Sequence, residues 1–290
     1  MADIESDIAA LPIWAGTPQL EPLAGGLSNL SLLATDRSGK YVVRVTRDFP
    51  FHQVYRDREL MAARAAHAGG FAPEIVYAVE GITVSRYVHG RALVAADVKR
   101  DIPRIADLVR RFHTEMPALL PDFDSAFWVF DVNRHYLDQL QGAMSQADLA
   151  GWSDANSDLE AAQDTMPQIL GHHDLLPANL IDDGRRLWLI DYEYAGFDTA
   201  MFDLANLSSN SGFSPDESET LLAAYFGGPS DSTVRKAHAA MEAASLLREA
   251  LWSLVSIQHL DRPGVDYRAY ANEHVVKFDR ALAEFRARFR

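Results

Sequence analysis

Along the first third of the chain, apolar and polar residues alternate with the two-residue period of strands. This pattern covers Gln19 to Leu23, Leu30 to Thr35 and Lys40 to Val45, with turns at Ala24-Gly25-Gly26 and Arg37-Ser38-Gly39 between them. Residues 1 to 16 read as a short helix and a turn. Residues 53 to 68 (QVYRDRELMAARAAHA) are rich in strong helix formers and stop at Gly69-Gly70, which predicts a helix. Two more strands follow, Glu74 to Ala78 and Ile82 to Val88. Beyond His89-Gly90-Arg91 the period lengthens: Ile102, Ile105, Leu108, Val109 and Phe112 mark one face of a helix over Asp97 to Glu115. Further helices are expected over Phe127 to Gln141, Leu159 to Met166, Leu246 to Ser256 and Asp266 to Phe285, while the polar stretch Gln146 to Ser157 predicts a loop. Strands first and helices afterwards give an α+β class, dividing near residue 88 into lobes of 1–88 and 89–290.

The stretch from Gly171 to Asp203 (GHHDLLPANLIDDGRRLWLIDYEYAGFDTAMFD) breaks this helical run. Asn179-Leu180-Ile181 and Leu187 to Ile190 are apolar runs around the turn Asp182-Asp183-Gly184, a hairpin signal. The hairpin sets Asp174 and Asn179 around one loop and Asp191 just past the second strand. An acidic, aromatic loop then runs to Asp203. Two carboxylates and a carboxamide at one spot suit Mg²⁺ held together with substrate phosphates. A rival reading makes His172, His173, Asp174 and Asp191 the ligands of a hydrolase metal. Against it, adjacent side chains of an extended segment point opposite ways, and the chain has no HExxH or HxxEH.

Composition narrows the partners. The net charge of −14 disfavours nucleic acid; it is compatible with a cationic substrate and equally with plain solubility. The absence of cysteine removes disulfides, thiolate metal sites and cysteine nucleophiles, and suits a reducing cytoplasm. The opening MADIESDIAALPIW lacks the charged and apolar regions of a signal peptide, and no apolar run reaches the roughly 20 residues of a membrane helix. In the strand-rich part, paired glycines at Gly25-Gly26 allow backbone amides to approach phosphate oxygens, although a plain hairpin turn needs them too. Arg44 stands between two valines and must face solvent or a partner. Glu59 is its candidate partner, with Arg56 or Arg58 as the competing one.

An Asp, an Asn in the fifth position after it, and a second Asp beyond a hairpin resemble the catalytic core of protein-kinase-like phosphotransferases. HxDxxxxN, opened by His172, is similar to the aminoglycoside phosphotransferase and choline kinase superfamily. IDYEYAG followed by FDLAN, Ile190 to Asn206, resembles the choline/ethanolamine kinase family. The likeness runs from Gly25 to Ala271, sharp over 171–206 and loose over 90–165. It implies a two-lobed protein-kinase-like fold, with a small β-rich N-lobe carrying one helix and a larger, mostly helical C-lobe. It further implies an ATP- and Mg²⁺-dependent kinase acting on the hydroxyl of choline or a related amino alcohol. Aminoglycoside or thiamine kinases of the same fold are the alternative, and an inactive nucleotide-binding module is a third reading.

Under the resemblance, Asp174 accepts the hydroxyl proton and Asn179 and Asp191 hold the metal. Gly25, Gly26, Ser28 and Asn29 cover the phosphates, Arg44 grips them while paired with Glu59, and Ser85 to Val88, including Tyr87, form the hinge against adenine. Glu193 assists the metal site and Tyr194 borders the amino-alcohol pocket, which Glu249, Trp252, Tyr267 and Tyr270 complete. An aromatic at helical spacing also fits a plain core role. Asp203 and Asn206 organise the loop. The chain departs from the family at His173, where Asn is common. It departs again at Glu249, where eukaryotic members have a second Trp and bacterial ones read RE-A-x-W. At LSSNSGFS it lacks a further Glu.

Overall fold

The computed structural model describes residues 2–23, 29–261 and 264–289. Helix α1 (Ala2–Ala9) leads into an antiparallel sheet of β1 (Gln19–Pro22), β2 (Leu30–Asp36), β3 (Gly39–Val45), β4 (Ile75–Val79) and β5 (Ile82–Arg86), ordered β1-β2-β3-β5-β4. Helix α2 (Arg56–Ala68) lies between β3 and β4 in the chain. Alternation puts Tyr41 and Val43 on one face of β3, where they pack with Leu32, Ala34, Ile82, Val84 and Ile8. Arg44 therefore points to the other face.

The expected helix over 53 to 68 starts late, at Arg56. Pro50–His52 form a 3₁₀ turn and Gln53 is left-handed (φ 58°), so the chain cannot join the helix before Tyr55.

After β6 (Arg91–Ala92) come α3 (Ala95–Arg100), α4 (Ile102–Leu119), α5 (Val129–Gln139) and α6 (Gln146–Glu160). Here three expectations fail. The helix over Asp97 to Glu115 is two, separated at Asp101 (φ −126°, ψ 39°) with Pro103 in the first turn of the second. Gln146 to Ser157 is helix rather than loop. The Ser145 side chain accepts from the Asp148 amide at 3.1 Å, and Leu149, Ala155, Asn156 and Leu159 are buried. A single cap and a thin apolar stripe thus sustain a helix whose remaining surface is polar. Leu159 to Met166, in turn, leaves the helix after Glu160.

Next come β7 (Gln168–Gly171), β8 (Leu180–Asp182), β9 (Leu187–Leu189) and β10 (Gly196–Thr199), paired as β6-β8-β9 and β10-β7. Four helices close the chain: α7 (Ala200–Ser211), α8 (Pro215–Phe226), α9 (Ser232–His259) and α10 (Tyr267–Phe289). Asp203 and Asn206 sit on α7, not in a loop. The Leu246 to Ser256 segment is the buried half of α9, which packs on α5, α7 and α10. The larger core runs from Ala62 of α2 to Phe285 of α10. Strands come first and helices after, the α+β order that the periodicity predicts. Among the described residues no helix is long and apolar enough to cross a membrane.

Candidate active site

The loop from His172 to Asn179 is held from beneath. The Asp203 carboxylate, in the first turn of α7, accepts the amides of His172 and His173 at 2.7 Å each, and His113 Nε2 lies 2.8 Å from it. Burial alone would raise this carboxyl. The His113 hydrogen bond and the imidazoles around it outweigh burial and keep the carboxyl below the usual range. Asn206, one turn later, accepts the Leu175 amide at 2.8 Å.

His172 and His173 are also fixed, by their rings. Nε2 of His172 donates to the Ile190 carbonyl at 3.0 Å, while its Nδ1 accepts the Asp174 amide at 3.3 Å. His173 is left-handed (φ 61°), its ring stacks on Phe127 at 4.1 Å, and Nδ1 donates to the Tyr194 carbonyl at 3.0 Å. Burial lowers both imidazole pKa values, that of His173 to about 4. Both rings serve the backbone, which leaves the hydrolase reading without its ligands. Among the described residues no group of three or more His, Asp or Glu is arranged for a metal.

Asp174 and Asn179 meet directly. Asn179 Nδ2 donates to the Asp174 carbonyl at 2.9 Å and to its Oδ2 at 3.0 Å. The 3₁₀ turn Pro177–Asn179 brings the amide back over the loop, and the Ile190 amide binds the Asn179 carbonyl, joining the loop to the end of β9. Burial pushes the Asp174 carboxyl well up; the guanidinium of Arg248 is the main opposing charge, and Asp191, Glu249 and Glu193 add to the rise. Asp191 has φ 71°, a conformation that turns its side chain out of the hairpin, and its Oδ1 lies 2.9 Å from Arg44 Nη2.

Around Arg44 a charge network links the sheet, α2 and the hairpin. Arg44 Nη1 binds Glu59, which also holds Arg56, so Glu59 meets both arginines that the sequence offered it. Arg56 reaches Glu193 at 2.9 Å, and Asn29 donates to the same oxygen at 3.1 Å. Burial raises the Glu193 carboxyl, and Asp191 adds to this. Arg44 loses hydration, but Asp191, Glu59 and Glu193 outweigh that and keep it protonated. Gly25, Gly26 and Ser28 lie outside the described residues. Ser85 pairs with Val42 and Ile75 inside the sheet. Tyr87 donates its amide to the Lys40 carbonyl at 3.1 Å, so that amide is committed to the sheet and cannot serve a base.

On the far side of Asp174, Glu249 is buried between Arg248 (2.6 Å) and the Tyr270 hydroxyl (2.8 Å). Trp252 Nε1 donates to the Tyr194 hydroxyl at 2.9 Å. The expected open face of Trp252 is covered: His52 stacks on it at 5.1 Å, and Tyr267 and Tyr270 approach edge-on. Tyr267 is part of the core. Sequence reasoning missed Arg56, His52, Tyr136 and Arg248. For Arg248 a signal existed, since a charged residue interrupts the otherwise buried run Ser245 to Ser253 of α9. A separate cleft of about 940 Å³ between α7, α8, α9 and α10 contains none of these residues.

The profile of the phosphotransferase enzyme family matches residues 19–247. A choline/ethanolamine kinase family protein from Mesorhizobium loti has a crystal structure 28% identical to this chain, covering 99% of both chains with a TM-score of 0.77. Protein LicA of Haemophilus influenzae is 24% identical over 210 residues, 69% of this chain and 61% of its own length, so the match spans under two thirds of that relative. The choline kinase LicA from Streptococcus pneumoniae, 22% identical over 98% of both chains, shares the fold with a TM-score of 0.79; a LicA structure in complex with AMP gives 0.78. The fold is thus the two-lobed kinase-like one.

Proposed function

Because the chain belongs to the phosphotransferase enzyme family, we propose that it transfers the γ-phosphoryl group of ATP to the hydroxyl of choline or a related amino alcohol. The observation that carries this reading is the position of Asp174. It lies between the Arg44–Asp191–Glu193 cluster on one side and the Glu249–Tyr194–Trp252 cluster on the other. The first has the charges to handle a metal–triphosphate. The second has the carboxylate and aromatic faces that suit a cationic nitrogen. The AMP complex of LicA supports nucleotide use, and the relatives named for choline or ethanolamine support the acceptor class.

Asp191 and the Asn179 carboxamide oxygen are hard donors that fit Mg²⁺, with Glu193 next to them. When bound, the ion would neutralise phosphate charge. Asp174 orients the acceptor hydroxyl and takes its proton as the new O–P bond forms and ADP leaves. Its raised carboxyl makes it a better base near neutral pH than an exposed Asp. Arg44 holds phosphate oxygens through its planar fork. Such a reaction belongs in the cytoplasm, where ATP is, and the net charge of −14 keeps nucleic acid out of the partner set.

The test is a coupled ADP-release assay over choline, ethanolamine, thiamine and an aminoglycoside, with and without Mg²⁺. Amino-alcohol turnover that requires Mg²⁺ and disappears in Asp174→Ala, while ATP binding persists, is the expected result. Thiamine or aminoglycoside preference would move the acceptor class. ADP from none of them, without Mg²⁺-dependent nucleotide binding, would reduce the chain to an inactive module.

A further inference from the structure

Three buried residues next to the acceptor side of Asp174 hold polar atoms that nothing around them uses. Arg248 is 2% exposed, and only its Nη1 is spent, on Glu249. Its Nε and Nη2 have no hydrogen-bond partner among the described residues. Nor does the hydroxyl of Tyr136, which is fully buried on α5, nor Nδ1 of His52. These atoms belong to one neighbourhood. His52 meets Tyr136 edge-on at 5.5 Å and covers Trp252, and the charge of Arg248 acts on His52, Tyr136, Tyr194 and Asp174. The guanidinium lies over the Tyr194 ring at 4.2 Å, so its plane is fixed.

Native interiors rarely leave a charged donor unpaired. Nε and Nη2 form one edge of the guanidinium and point two N–H groups the same way, the geometry that a carboxylate takes bidentately. Trimethylammonium and ammonium groups have no lone pair to offer that edge, and they carry the same charge as Arg248. Glu249, Asp174 and the Tyr194 face remain for a cationic nitrogen. None of the ion pairs around Arg44, Asp191 and Glu59 includes Arg248, so its free edge belongs to the acceptor half and not to the nucleotide half.

From this juxtaposition we infer that the acceptor is a zwitterionic amino alcohol, whose carboxylate docks on the free edge of Arg248 beside the Tyr136 hydroxyl. The inference rests on the kinase reading above and narrows its acceptor.

Matched acceptors test it in the ADP-release assay with the full chain: ethanolamine against serine, and 3-aminopropanol against homoserine, each pair differing by one carboxylate. The expected result is kcat/KM at least about tenfold higher for the carboxylate-bearing member, the scale of a charge-assisted bidentate contact. Arg248→Gln should abolish that advantage. Tyr136→Phe should reduce it without lowering the melting temperature, because the hydroxyl it removes has no partner to lose; this second variant keeps the test open if Arg248→Gln does not fold. Equal or better use of the carboxylate-free members, with ADP still formed, would overturn the inference and leave the kinase reading standing. An equal loss in Arg248→Gln for both members of a pair would also overturn it, by assigning the edge to the phosphoryl group. No ADP from any of the four acceptors, or from choline, would overturn both.

Discussion

Arg44 Nη2 lies 2.9 Å from Asp191 Oδ1 while Nη1 of the same guanidinium holds Glu59. One side chain of β3 thus joins α2 to the turn after β9. Without it, Asp191, Glu59 and Glu193 would share Arg56 alone, three carboxylates to one cation. Arg44→Ala is expected to lower kcat/KM for the nucleotide on the order of 100-fold, the scale of a lost charge clamp on a transferring phosphoryl group. Arg44→Lys should recover only part, since an ammonium cannot grip two carboxylates as a planar fork does. A nucleotide titration at fixed Mg²⁺ reads both, and wild-type kinetics in Arg44→Ala would exclude the clamp.

Asp203 anchors the catalytic loop through two amides and His113. Asn in its place has one acceptor oxygen, and turns an N–H₂ toward groups that themselves donate. Asp203→Asn should therefore cost about 3 kcal/mol, as breaking a buried charge–hydrogen-bond set does, and should reduce turnover by misplacing Asp174. The pH dependence has a definite sign. The folded-state pKa of Asp203 lies below its ordinary value of 3.8, so its stabilisation is complete above that pH and is lost as pH falls through the folded value. Urea melts of wild type and variant should differ by a constant amount near neutrality and converge in acid. A gap that widens toward acid would contradict this.

The sheet, α2 and the hairpin were legible because each buries one clean face, and a buried face writes its period into the sequence. Helix α6 was not legible: it has one capping serine and four scattered buried positions, a signal too thin to separate from a polar loop. Asp174, Asn179 and Asp191 could be read from spacing, since a short hairpin fixes where they fall. The environment of Trp252 could not. The His52 ring that covers it comes from a 3₁₀ turn some two hundred positions earlier, and no local pattern carries that contact. Arg248 stood in plain text between Leu247 and Glu249. Helical spacing shows that such a residue is buried, but not which of its nitrogens are used.

Asn179 donates to Asp174 Oδ2 at 3.0 Å, so its amide supports one carboxylate while its oxygen remains for a cation. Asn179→Asp replaces that donor with a second acid beside a carboxyl that burial already pushes up. Two adjacent carboxylates do not both ionise readily. The variant is expected to keep its fold, lose most of its turnover at neutral pH, and recover part of it as pH rises. The acidic limb of its kcat/KM profile should lie at higher pH than that of the wild type. An unshifted limb would mean that Asp174 does not titrate in the reaction.

Far from these residues, in the cleft between α7 and α10, Glu242 offers a stability test independent of any substrate. Burial first, and Glu284 second, push its carboxyl up to about 8. His238 Nδ1 is 3.4 Å away, but burial holds that imidazole down at about 4, so it stays neutral and supplies no counter-charge. A raised carboxyl binds its proton more tightly in the folded chain than in the unfolded one. Its stabilising effect is therefore complete below the ordinary value of 4.5 and is lost as pH climbs toward 8. Glu242→Gln keeps the shape and removes the titration. It should gain about 2 kcal/mol relative to wild type between acid and pH 8, read as the difference in urea unfolding free energy so that other groups cancel. A difference that does not change with pH would show that Glu242 ionises as freely in the folded chain as in the unfolded one.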